Sequence, residues 1–259
     1  MSWAAASLAK LAVLFVALGV WACVAYAQAP EIKVLSAGAV KGIVGELAES
    51  FRQETGHTVV LTSGTAGQIR QKVTAGDPSD VIFVTDTVLE QLVATRNFVA
   101  NTRVDIARTG IGVAVRQGAP LPDISTPEAF KQTVLAAKSL VYQNPAIGAT
   151  SGIHFAGVLQ RLGIADAVRE KSVLWPGGYA AEALVKGQAD LCVHQISEIL
   201  PVKGVTLVGP LPRELQKITT YSGALSTRAA EPEAGRAFIA FVARPSFKPK
   251  FTAAGLNYQ

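Results

Sequence analysis

Two hydrophobic periods take turns along the chain. Ile32–Leu35 is a short β-rich run, and Val40, Val44, Leu47 and Phe51 then fall at i, i+4, i+7 and i+11, one face of a helix. Gly56 is placed to end that helix and Thr58–Leu61 to form a second strand. Ala66, Ile69 and Val73 make the stripe of the next helix, closed by Gly76 and Pro78, before a buried-type strand at Val81–Val84. Ser125-Thr-Pro-Glu128 has capping-box spacing and a first-turn proline, so it predicts a helix start. Leu140–Tyr142 reads as a strand, and Phe155, Val158, Leu159 and Leu162 as the core face of the helix after Ser151. A helix around Ala180–Lys186, strands at Leu191–His194, Val205–Val208 and Ile218–Ala224, and a terminal helix at Pro232–Ala243 complete the series. Strands that alternate with helices in this way build parallel sheets with crossover helices. The rhythm changes at Arg108–Val115, where a glycine-punctuated strand can carry the chain into a second lobe, with Ile218–Ala224 returning to the first.

The chemistry collects where strands end. Leu61–Phe83 runs from a strand through a Gly/Thr-rich loop into a short amphipathic helix, and Gln143–His154 repeats the layout. First-turn N–H groups have no intrahelical partner, and with the positive end of the helix dipole they attract anions. Loops at the carboxyl ends of strands in an open sheet converge on a crevice. Candidate ligand contacts are therefore Ser36, Gly38 and Ala39, then Gly64, Thr65 and Ala66, then Thr150, Ser151 and Gly152, then Gly178 and Tyr179, with Gln195 past a later strand. Any one such loop serves equally as an ordinary helix cap. Four at equivalent positions point to a small captured anion.

His57 reads as a turn residue, His154 as first-turn and His194 as strand-end. They lack metal-ligand spacing, so neither a metal nor another cofactor is expected. Asp80 reads as structural and Asp86 as a cap or turn residue. No nucleophile elbow or phosphate loop is present in the sequence.

Composition adds export. In residues 1–27 Lys10 is the one charge, Leu11 to Val24 is an apolar core short for a membrane span, and Ala25-Tyr-Ala27 supplies a small-x-small cleavage pattern. The expectation is a removed signal peptide and a periplasmic protein starting near Gln28. Val20-Trp-Ala-Cys23 offers a lipoprotein alternative, with Trp21 departing from the lipid-attachment box. Cleavage leaves Cys192 without a disulfide partner, and its apolar neighbours make it a buried strand residue. The 24 Lys and Arg, Lys10 included, exceed the 19 Asp and Glu only slightly and are scattered, so nucleic acid is not an expected partner. A monomer is expected.

Four stretches carry a family likeness. They are Val34-Leu-Ser-Ala-Gly-Ala39, Thr74-Ala-Gly-Asp-Pro-Ser-Asp-Val81, the Thr-Ser-Gly loop leading to Leu159-Gln-Arg-Leu-Gly163, and Ala189-Asp-Leu-Cys-Val-His-Gln-Ile-Ser197. From Ile32 to the C-terminus the chain resembles the periplasmic molybdate-binding proteins of ABC transporters. That resemblance implies the type II binding-protein fold, two α/β lobes that are each a mixed sheet flanked by helices, with the ligand cleft between them. Lobe 1 would be residues 28–109 plus 223–259, and lobe 2 residues 110–222. It also implies an inner-membrane ABC permease as partner, so the first expectation is a binding protein that captures a small anion for transport, with an enzyme on the same fold as the alternative.

Ala39 stands where molybdate binders place a ligand serine, Gln195 where they place a ligand tyrosine, and the second loop is one residue longer. The runs Gln195-Ile-Ser-Glu198, Leu207-Val-Gly-Pro210 and Thr220-Tyr-Ser-Gly223 are similar instead to bacterial aconitate isomerases, periplasmic enzymes on the same fold. An isomerase needs a general base, for which His154, His194 and Tyr221 are the candidates. A ligand sensor for a membrane receptor is a third reading.

Overall fold

The computed structural model describes residues 31–258, so the leader segment and Cys23 lie outside the described residues. The chain opens with β1 (Glu31–Ala37), α1 (Gly38–Thr55), β2 (Thr58–Gly64), α2 (Ala66–Ala75), β3 (Val81–Thr85) and α3 (Asp86–Ala94). These strands pair in parallel, β1 lying between β2 and β3, because each helix carries the chain back to the same edge of the sheet. β4 (Val104–Thr109) then runs to Gly110, where the backbone leaves the sheet, and β5 (Ile111–Arg116) starts the second one. The single strand expected over Arg108–Val115 is thus two strands in different sheets. The side chain of Gln216 takes the place of a neighbouring strand here: its Oε1 accepts from Ile111 N at 2.8 Å and its Nε2 donates to Ile111 O at 2.8 Å.

The second lobe continues with α4 (Pro127–Ala136), β6 (Leu140–Gln143), α5 (Thr150–Arg161), α6 (Ala165–Val168), β7 (Ser172–Trp175), α7 (Glu182–Val185), β8 (Leu191–Gln195), α8 (Ile196–Ile199) and β9 (Val205–Pro210). The cap of α4 is Thr126, accepting from Ala129 N, with Pro127 in the first turn; the expected spacing had pointed to Ser125. The chain returns through β10 (Thr219–Leu225), α9 (Pro232–Val242), α10 (Lys248–Ala253) and β11 (Asn257–Tyr258). The two sheets have strand orders β11-β4-β10-β3-β1-β2 and β7-β6-β8-β5-β9. Parallel pairing is confined to strands joined by crossover helices. β10, β4, β5 and β9 pair antiparallel, which makes both sheets mixed.

Each lobe has its own core. In the first, Phe51 packs against Phe238 and Phe241 with ring centroids 5.2 Å apart in each pair, closing α1 onto α9. In the second, Phe155 of α5 meets Tyr142 of β6 edge-on at 5.0 Å. Asp80 fastens the first lobe: its buried carboxylate accepts from Lys33 N at 2.7 Å, Ala230 N at 2.6 Å and Glu231 N at 3.1 Å.

Candidate functional site

The strand ends of the two sheets face one another across a cavity of about 140 Å³. Three helices begin on its wall. In α1 the strand passes into the helix through Ala37, Gly38 and Ala39, and Ala37 offers no side-chain cap. In α5 the uncapped start is Ala149, Thr150 and Ser151. At α2 the cap is Thr65, in a full capping box with Gln68. Each helix start presents roughly half a positive charge. The starts of α1 and α5 add N–H groups without side-chain caps, whereas at α2 the Gln68 N–H is taken by Thr65 and the Gly67 N–H by Gly148 O. Lys41, one turn into α1, adds the one cation among the described lining residues, its Nζ lying 3.8 Å from the centroid of the Tyr179 ring.

Behind the α5 start lies a buried polar chain. Gln143 Nε2 donates to Gly178 O at 2.5 Å and lies 3.3 Å from His194 Nε2. His194 Nε2 also lies 3.4 Å from Gly178 O, so this nitrogen accepts from Gln143 in one tautomer and donates to Gly178 in the other. Nδ1 lies 3.1 Å from Ser151 Oγ, and the Ser151 hydroxyl faces both this nitrogen and the cavity. Burial, aided by Lys41, pushes the imidazolium down to about 4, so this histidine is neutral in ordinary buffers. Gln195 Nε2 donates to Tyr221 Oη at 3.3 Å, leaving the phenolic hydrogen free in turn. Burial first, then the charges of Glu198 and Asp86, raises the Tyr221 hydroxyl well above its ordinary range. The amide oxygens of Gln143 and Gln195 are buried without a partner.

Glu198 is the one carboxylic acid among the described lining residues. It sits on α8, 8 % exposed, with Oε1 3.7 Å from His194 Nε2. A Cβ on Gly38 would meet that oxygen at 2.5 Å, so the glycine makes room for the carboxyl. Burial raises Glu198 to about 8, with Lys41 pulling the other way. The carboxyl is therefore protonated near neutrality and able to release its proton just above it.

The lobes also touch directly. Thr65 Oγ1 donates to Ile147 O at 2.6 Å and Gly67 N to Gly148 O at 3.0 Å. A Cβ at Gly67 would lie 2.6 Å from Gly148 Cα, and one at Gly148 2.5 Å from Gly67 Cα, so this backbone approach needs glycine on both sides.

Of the residues singled out in the sequence, Gly38, Ala39, Gly64, Thr65, Ala66, Thr150, Ser151, Gly178 and Gln195 line the cavity together. Among the three base candidates His194 and Tyr221 line it too, whereas His154 points away and pairs through Nε2 with Leu215 O at 2.8 Å. Ser36 is buried behind the wall with its hydroxyl donating to Ala37 O. Gly152 lies beneath the α5 start, where a Cβ would collide with Gln143 O, and Tyr179 lies beside the cavity under Lys41. Lys41, Gln143 and Glu198 were not anticipated. Lys41 follows the first candidate loop by two residues, and Glu198 ends the run Gln195-Ile-Ser-Glu198, so neighbourhood to loops already marked was the available signal.

The model of the bacterial extracellular solute-binding proteins matches residues 32–257. An aconitate isomerase from Pseudomonas sp. is 32 % identical over 232 residues, covering 87 % of each chain. A molybdate-binding protein from Azotobacter vinelandii is 26 % identical over 258 residues, 96 % of this chain and 99 % of that one. The solved periplasmic molybdate-binding protein of Azotobacter vinelandii superposes with a TM-score of 0.74 at 24 % identity, covering 87 % of this chain and 98 % of that one. With two mixed-sheet lobes about one anion-type cleft and a family match across the whole described fold, this chain belongs to the bacterial extracellular solute-binding proteins.

Proposed function

We propose that the protein closes its lobes over a small unsaturated polycarboxylate and shifts a proton along its carbon skeleton, the chemistry that names its aconitate isomerase relative. The observation that carries this reading is Glu198, a buried carboxyl raised to about 8 inside an anion site. A pocket that only holds anions is served as well by a hydroxyl, since a protonated carboxyl donates one hydrogen bond and its ionised form repels the ligand. A pocket that moves protons needs a group whose pKa lies near working pH. Helix starts, Lys41 and the hydroxyls of Ser151 and Tyr221 supply the carboxylate contacts. Ala39 and Gln195 favour a carboxylate over a tetrahedral oxyanion. Alanine withdraws a short donor, and the glutamine amide suits a planar group with an acceptor to spare. No cofactor enters this scheme. The protein works as a periplasmic monomer after cleavage behind Ala27.

A second reading is a carrier that delivers the same anion to an inner-membrane ABC permease. The hydrogen bonds of Thr65 and Gly67 across the cleft favour it, because delivery requires a closed form that a permease can recognise.

Calorimetry with cis- and trans-aconitate, citrate, sulfate, tungstate and molybdate, followed by NMR of the two aconitates with the protein, tests both readings. An aconitate that binds more tightly than molybdate and interconverts with its isomer supports the enzyme. Tight carboxylate binding without interconversion leaves the carrier. Submicromolar molybdate with all carboxylates silent overturns the carboxylate site. Intact mass of the same periplasmic preparation reads the N-terminus: Gln28 is expected, and a diacylated Cys23 would replace it with a tethered form.

A further inference from the structure

We propose that Glu198 is the proton-transfer residue of the cleft, the group that takes the proton from one carbon of the ligand and returns it to another. This rests on the isomerase reading above and goes beyond it by assigning the base to a residue that the sequence had not marked.

The assignment follows from what each side chain on the wall has left to offer. His194 has both ring nitrogens engaged, one by Ser151 and one by Gln143, and is 1 % exposed. Tyr221 receives the Gln195 amide and holds its proton tightly, so it donates to an anion without ionising. Ser151 has its oxygen against the histidine. Lys41 is a cation laid over an aromatic ring. His154 is outside the cavity. Glu198 alone lines the cavity with a carboxyl that the structure ties to no hydrogen-bond donor, and Gly38 gives that carboxyl its opening at the start of α1, where the anion is held.

The charged and titratable groups around it are few. Lys41 faces it from α1, Tyr179 from the loop before α7, His194 and Cys192 from β8, and Tyr221 from β10. Lys41 is the one cation among them, and it favours the ionised form of Glu198 that burial opposes.

The step balances without a co-reactant. Glu198, as carboxylate, removes a proton from the methylene carbon next to the double bond. The C–H electron pair becomes the new C=C, and the old C=C pair moves to the far carbon, which takes the proton from the Glu198 carboxyl. Glu198 ends ionised, as it began, and the ligand has only changed isomer. Charge that builds on the ligand during the step falls on carboxylates held by the helix starts and Lys41, placed in advance.

The test uses the mature protein with E198Q and E198D, and reads three quantities: aconitate affinity by calorimetry, isomer interconversion by NMR, and exchange of the ligand's methylene hydrogens with D₂O. E198Q is isosteric and removes a negative charge, so it is expected to bind aconitate as tightly as wild type or more tightly, while interconversion and exchange both fall by roughly 10²–10⁴-fold. E198D keeps the acid but withdraws it by one methylene, and loses on the order of 10²-fold in rate with affinity held. In wild type the rate is expected to rise with pH towards and past 8, a rise absent from E198Q. Interconversion that survives at the wild-type rate in E198Q overturns the Glu198 assignment and leaves the isomerase reading standing. A wild-type protein that binds an aconitate but neither interconverts it nor exchanges its methylene hydrogens overturns both.

Discussion

Replacing Gly67 by alanine separates folding from closure, because the two respond with opposite sign. Gly67 lies in the first turn of α2 with an ordinary helical φ, and alanine is favoured over glycine in helices by up to about 1 kcal/mol. The isolated first lobe therefore tolerates or welcomes the methyl group. In the closed molecule the new Cβ lies 2.6 Å from Gly148 Cα and 2.9 Å from Ile147 O, both of them backbone atoms that cannot swing aside. Overpacking of that kind costs roughly 1–3 kcal/mol, and here it falls on the closed form alone. A ligand that needs the closed form is weakened by the same amount, about 5- to 150-fold in dissociation constant. The expected result is an unliganded melting temperature equal to or above wild type, a more open particle by X-ray scattering, and a weaker ligand by calorimetry. Wild-type affinity in Gly67→Ala would falsify the idea that ligand binding requires the approach of Gly67 to Gly148. A melting temperature lowered by many degrees with no change in affinity would place the cost of the methyl group in the fold of α2.

Two further substitutions and one titration follow from the same geometry. Ser151→Ala removes a hydroxyl that lines the cavity at the start of α5 and is expected to weaken binding by about 1.5–3 kcal/mol. Thr65→Ala loses both a helix cap and the bond to Ile147 O, so it is expected to lower the melting temperature by about 1 kcal/mol of stability as well as the affinity; unchanged calorimetric affinity in both variants would place the ligand elsewhere. For stability against pH, Glu198 is raised on folding from 4.5 to about 8, so its contribution is full below 4.5 and is lost as pH rises to 8. His194 is lowered from 6.5 to about 4, so its contribution is full above 6.5 and is lost on acidification towards 4. Between 4.5 and 6.5 the two oppose each other, and from 6.5 to 8 Glu198 acts alone. Chemical denaturation is expected to show stability falling by about 2 kcal/mol over that upper window in wild type. A slope of the same size in E198Q would mean that another group titrates there.

The loops were legible and the contacts across the cleft were not. Gly64-Thr65-Ala66 could be placed because a strand must end and a helix begin there, and small residues with a hydroxyl mark that junction locally. That Thr65 donates to Ile147 O depends on a partner 82 residues away, which no local pattern carries. The same reason hides the break at Gly110. A run of apolar residues reads as one strand, and the amide of Gln216 that holds Ile111 in place is 105 residues distant. Helix α8 has four residues, too short for a period of 3.6 to show, so Glu198 passed as an ordinary charged residue after a strand. Asp80 was readable as structural because an Asp-Val junction before a buried strand offers it little else. Its three backbone donors complete the account.

The wall is divided so that neither lobe holds a working site. The first lobe brings the starts of α1 and α2, Lys41 and Tyr221; the second brings the start of α5, Gln143, His194, Gln195 and Glu198. A carboxylate bound to the first lobe alone meets N–H groups and a cation but no base. Across the cleft Glu198 meets Gly38, Tyr179 meets Lys41 and Gln195 meets Tyr221, so each lobe completes what the other lacks. Burial between the lobes raises the pKa of the carboxyl and strengthens the electrostatic contacts around it. In the isomerase reading proposed above, capture and proton transfer draw on one closure, and a carrier differs from an enzyme on this scaffold by little more than a buried acid. That acid carries a cost in a pure carrier, because each time it ionises it stands against the anion it is meant to hold. Its position in the wall, opened by a glycine and opposed by a single lysine, is therefore better explained by chemistry on the bound anion than by retention of it.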